Sequence, residues 1–118
     1  MTIHERSVGD VTIIEPDGRI TIDSNAQTLL HDKVRSLLQQ GRKKLVLDLH
    51  HVPYIDSTGL GEIVGTYTTV TRQGGALKLI HLNTRLHDLL AITKLLTVFD
   101  TFDSEAEALA SFGATTSR

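Results

Sequence analysis

The chain has no cysteine and no tryptophan, two prolines, and aromatic residues that make up 4% of its length. Without cysteine, a disulfide framework, a thiolate zinc site and a cysteine nucleophile are excluded together. Neither sign of charge is in large excess: 12 basic residues stand against 14 acidic ones, and the basic residues are dispersed apart from Arg42, Lys43 and Lys44. Such a surface argues against nucleic acid as a direct partner. No apolar run approaches the ~20 residues that cross a bilayer, and the stretch from Met1 to Asp10 is charged rather than apolar. The expectation is therefore no membrane span, no secretory signal and a cytoplasmic location. What is present is ordinary globular usage, 40% hydrophobic and 22% charged over 118 residues, enough for one core and one domain.

The periodicities alternate between strand and helix. Val8 to Glu15 reads as a strand with a partner at Thr2 to Arg6, turned at Gly9-Asp10 and ended by Pro16-Asp17-Gly18. Ser24 and Gln27 have capping-box spacing, and Leu30, Val34, Leu37 and Leu38 follow at helical period until Gly41. Leu45 to Leu49 is a short apolar run, the pattern of a strand covered on both faces near the centre of a parallel sheet. From Asp56 to Gln73 the apolar residues fit a helix, although Thr66 to Thr71 is crowded with β-branched residues that also suit a strand. Helix is the reading adopted. Leu77 to Leu82 reads as a strand, Asn83 or Thr84 as the cap of a helix, and Leu96 to Phe99 as an edge strand. Ser104 and Glu107 repeat the capping-box spacing before a helix through Phe112, ended by Gly113. The pattern predicts one α/β domain over residues 1–113, with a mixed sheet of four to five strands, about four helices, and a loose tail over 114–118.

The chemistry concentrates in Tyr54-Ile55-Asp56-Ser57-Thr58-Gly59-Leu60-Gly61. This segment follows the central strand and opens a helix, whose first N–H groups and dipole attract anions. Taken alone, Asp56-Ser57-Thr58 is an ordinary helix cap. Gly59 and Gly61 would let a partner approach the backbone, and Gly61 with Gly65 would let the helix lie close on the sheet. Enzyme readings of the segment are weak. Gly65 falls one residue beyond the dinucleotide fingerprint, the phosphate-loop Gly-Lys-Ser/Thr ending is absent, and Ile55 stands where a nucleophile elbow needs glycine. His4, His31, His50, His51, His81 and His87 show no zinc-protease spacing, and His50-His51 reads as a solvated loop pair. No catalytic residue, metal or cofactor is expected. Leu89-Leu90 and Leu95-Leu96 read as core.

Four features together resemble the STAS domain family, and within it the free-standing anti-sigma factor antagonists. They are the Gly18-Arg19-Ile20 turn, the Lys44 to Leu49 strand, the Tyr54 to Gly61 signature, and Gly74-Gly75 before the Leu77 to Leu82 strand. The resemblance spans nearly the whole chain and implies a STAS-like fold. It also implies that Ser57, the hydroxyl directly after Asp56, is a phosphoacceptor, with Thr58 in the following hydroxyl position. The unphosphorylated form would bind an anti-sigma factor that is itself a serine kinase, so releasing a sigma factor, and a phosphoserine phosphatase would reset the switch. Asp23 is the acidic residue before the first helix that would contact the kinase. The partner surface would comprise Asp23, Ser24, Asp56, Ser57, Thr58, Gly59 and Gly61. The alternatives are a STAS scaffold or lipid-transport subunit that is never phosphorylated, and a small nucleotide-binding enzyme.

Overall fold

A computed structural model describes residues 2–21 and 26–116, excepting the side chains of 26–28 and 113–116. Two strands open the chain, β1 (Thr2–Val8) and β2 (Val11–Asp17), followed by helix α1 (Ala26–Gln39), strand β3 (Lys44–Asp48) and helix α2 (Ser57–Arg72). Strand β4 (Ala76–Ile80), helix α3 (Thr84–Ile92), a short 3₁₀ turn at Leu95–Thr97, strand β5 (Asp100–Phe102) and helix α4 (Glu105–Thr116) complete it. The sheet order is β1-β2-β3-β4-β5, with β1 antiparallel to β2 and every other neighbouring pair parallel. This is the expected mixed sheet, with β3 at its centre.

Side-chain alternation divides the core into two layers. On one face Ile14, Leu45, Leu47, Leu77 and Leu79 pack beneath α1, α2 and α3; on the other, Val11, Ile13, Val46 and Ile80 pack beneath Ala108 and Phe112 of α4. Covering both faces explains why β3 reads as a continuous apolar run. The β-branched stretch Thr66 to Thr71 is helical because tertiary burial outweighs its weak strand preference. Ile63, Thr66 and Val70 point into the core, while the Thr68, Thr69 and Thr71 hydroxyls donate back to carbonyls one turn earlier.

Several element boundaries differ from the sequence reading. Val8 closes β1 opposite Val11, and β2 runs Val11–Asp17, its Pro16 and Asp17 still paired with Ile3 and Thr2. The edge strand is Asp100–Phe102, paired with Lys78 to Ile80, and not Leu96 to Phe99. Three apolar residues there serve packing: Leu95 and Leu96 lie half-buried against the core, and Phe99 is buried with its ring edge-on to Tyr67 at 5.1 Å, whereas Val98 is exposed. Strand β4 stops at Ile80 because His81 takes a left-handed backbone, φ 59°. Helix α4 continues through Gly113 to Thr116, since one glycine costs a helix only about 1 kcal/mol.

Lys94 also adopts left-handed backbone, φ 64°, at the turn after α3. That conformation costs a non-glycine residue about 1–2 kcal/mol, of which glycine's extra freedom when unfolded returns roughly 0.5–1. Lys94→Gly is therefore expected to stabilise the domain by roughly 0.5–1 kcal/mol. Urea unfolding should show a raised midpoint with an unchanged slope, and a lowered midpoint would refute the assignment.

Candidate functional site

Parallel pairing brings the ends of β2, β3 and β4 to one edge of the sheet, the edge where α/β folds place their sites. Beyond β2, Ile20 bridges in parallel to Ile55. Its N–H donates to the Tyr54 carbonyl at 3.0 Å, and its carbonyl accepts from the Asp56 N–H at 3.2 Å. Beyond β4, Asn83 caps α3 by accepting the Leu86 N–H at 2.8 Å and donates to the Val52 carbonyl at 3.4 Å. The segment that opens α2 is therefore held from both sides. Asp23 and Ser24, expected at the same edge, lie outside the described residues.

Asp56 is the N-cap of α2: its backbone is extended, and Oδ1 accepts the Gly59 N–H at 2.7 Å. With the carboxylate engaged at the cap, Ser57 and Thr58 occupy the first two helical positions and both are exposed. Neither hydroxyl has a hydrogen-bond partner among the described residues.

The glycines do different work from that expected of them. Gly59 is buried, and a Cβ there would drive into the carbonyl of Ile20, lying 2.8 Å from its carbon and closer still to its oxygen. Its missing side chain lets α2 close on the Ile20 bridge, so the space at Gly59 is filled from within the domain. Gly61 and Gly65 are exposed, with open space where a Cβ would stand. They do not mediate packing on the sheet, and Gly61 alone of the signature glycines faces outward.

Ser57 opens onto a groove of about 610 Å³ between the start of α2 and helix α3. Tyr54, Asp56 and Ser57 form one wall; Arg85, Asp88 and Ile92 are on the other. Ile92 is 80% exposed and Tyr54 38%, so the rim of the groove carries apolar surface on both walls. Sequence reading missed the α3 wall, although its signal was present: positions 85, 88 and 92 recur at helical spacing on the face opposite the buried Leu86 and Leu90. Leu90 is core as expected, whereas Leu89 is half-buried and reaches this groove.

A second feature invisible in the sequence lies behind the loop. Asp48, 4% exposed, accepts the His50 N–H at 2.9 Å and contacts His81 Nδ1 at 2.9 Å. The buried carboxylate thus ties the start of the β3 to α2 loop to the end of β4. His50 and His51 are both exposed in the turn after β3, the solvated loop pair expected, and His50 also sits edge-on to His51 and His81. Nearby, hydrogen bonds from Arg6 hold the Glu105 carboxyl below its ordinary value and fasten the edge strand β1 to the start of α4. Among the described residues no group of side chains could hold a metal ion, and no helix is long and apolar enough to cross a membrane.

Residues 3–108 match the STAS domain. The chain belongs to the STAS domain family. This STAS domain is 44% identical over 79 residues to the anti-sigma-B factor antagonist of Bacillus subtilis, covering 67% of this chain and 72% of that one. It is also similar to the crystal structure of a Thermotoga maritima protein classed as an anti-sigma factor antagonist, with TM-score 0.84, 28% identity and 92% of each chain covered. With the phosphorylated form of Bacillus SpoIIAA it shares the fold, at TM-score 0.71 and 16% identity over 94% of this chain and 99% of that one.

Proposed function

We propose that this STAS domain is an anti-sigma factor antagonist that acts by binding, not by catalysis, and is switched by phosphorylation of Ser57. One observation carries the reading. Ser57 is an exposed hydroxyl directly after the N-cap Asp56, at the mouth of a groove with an apolar rim, in a chain whose relatives are anti-sigma factor antagonists.

In the unphosphorylated state the α2 start and the groove form the docking surface for an anti-sigma factor, and the sigma factor is thereby released. The outward Gly61 leaves the helix backbone open to close approach, and Thr58 and Ser57 offer hydroxyls to the partner. Asp23 and Ser24 are proposed to extend this surface. The anti-sigma factor is proposed to be a serine kinase as well: Ser57 Oγ attacks the γ-phosphorus of ATP, ADP departs, and the hydroxyl proton passes to a base of the kinase. A phosphoserine phosphatase would return the domain to its binding state. All of these events belong to the cytoplasm.

The test is radiolabelling from ATP by the cognate kinase. Ser57→Ala should abolish labelling and Thr58→Ala should retain it, because only Ser57 lies directly after Asp56. Loss of label in Thr58→Ala alone would transfer the role to the second hydroxyl. Absence of label in the parent would favour an unphosphorylated STAS subunit of a larger assembly.

A further inference from the structure

We propose that Arg85 is the internal counter-ion of phosphoserine 57, so that phosphorylation bridges the groove between α2 and α3. The inference rests on the reading of Ser57 as phosphoacceptor and names the residue that would answer the modification.

The groove lining includes two carboxylates, Asp56 beside Ser57 and Asp88 on α3, and one cation, Arg85. Asp56 is committed to capping α2 through the Gly59 N–H. Arg85, in the first turn of α3, is exposed and forms no ion pair among the described residues, including with Asp88 one turn further along the same helix. A phosphate on Ser57 adds a charge of about −1.5 to −2 and three strong acceptor oxygens at the opposite wall. Placed among carboxylates, that group has, among the described residues, one cation on the lining with which to pair. A planar guanidinium suits it, since it can meet two phosphate oxygens at once.

The geometry of α3 permits this without refolding. Helix α3 is anchored by Leu86 and Leu90 in the core and by the Asn83 cap, itself bonded to the Val52 carbonyl of the loop that leads to Ser57. Both walls are therefore held, and only the Arg85 side chain needs to move. The pairing would span the groove between Tyr54 and Ile92, and it would take the one cation that the described residues give the groove away from a docking partner at the moment the phosphate adds negative charge. The phosphorylated and unphosphorylated domains would then differ in surface shape as well as charge.

The experiment installs phosphoserine at position 57 during synthesis, so that no kinase is needed, and follows the phosphate by ³¹P NMR across pH. A neighbouring cation favours the dianion, whose second pKa is ordinarily near 6. Replacing Arg85 by Gln should therefore raise that pKa by at least about half a unit in this open setting. Arg85→Lys should fall between the two, and Arg72→Gln at the far end of α2 should match the parent. Circular dichroism should be unchanged in every variant because both arginines are exposed. If Arg85→Gln titrates like the parent and the Arg72→Gln control, the pairing is wrong. Failure of kinase labelling at Ser57 would instead sink the functional reading, and chemical installation keeps the two results separate.

Discussion

Gly59→Ala is expected to cost this domain about 3 kcal/mol and lower its melting temperature by roughly 10 °C, whereas Gly61→Ala, two residues along the same helix, should stabilise it by roughly 0.5–1 kcal/mol. The contrast follows from what each added methyl meets. At position 59 it meets the Ile20 carbonyl, backbone that cannot retreat because Ile20 is hydrogen-bonded to both Tyr54 and Asp56. Overpacking against fixed backbone lies at the upper end of the usual penalty. At position 61 the methyl meets open space, and alanine removes the entropic cost of glycine inside a helix. Thermal unfolding of the two single variants checks both signs. Equal melting temperatures would contradict the account of how α2 is seated.

Phosphorylation of Ser57 is expected to reduce affinity for the anti-sigma factor by tenfold or more while moving the melting temperature by only a few degrees. Two magnitudes lead there. A dianion in the first turn of a helix changes local stability by about 0.3–2 kcal/mol. Like charges brought together across an interface cost several kcal/mol, and each ~1.4 kcal/mol is a factor of ten in affinity. The groove lining carries Asp56 and Asp88 against Arg85, so a dianion deepens its net negative charge even when paired with Arg85 and repels acidic groups that a partner brings to it. Isothermal titration of the partner with the phosphorylated and unphosphorylated domains reads the affinity, and Ser57→Asp serves as a weaker mimic with the same direction. A phosphorylated domain that binds undiminished would remove the switch, and one that unfolds would show that the effect is on the fold and not on the interface.

Much of this was determined by the sequence. Helices and strands emerge from periodicity because every element except the edge strands β1 and β5 and the short 3₁₀ turn buries a face, and burial imposes period 3.6 on a helix and period 2, or a continuous run, on a strand. The position of Ser57 was equally legible: Asp56, Ser57 and Thr58 act within one helical turn, where local chemistry suffices to predict a cap and an exposed hydroxyl. Tertiary structure alone decided which way each glycine faces. Gly59 and Gly61 are indistinguishable by type, and only the Ile20 strand extension makes one a packing requirement and leaves the other open. It also decided the second wall of the groove, since the α2 crossover between parallel β3 and β4 sets the starts of α2 and α3, with Ser57 and Arg85, beside one groove, and the Asp48 link to His81, whose partners lie 33 residues apart. The misplaced edge strand has the same cause: Leu96 and Phe99 are apolar because they pack against the core and Tyr67, and burial selects apolar residues without prescribing the backbone that carries them.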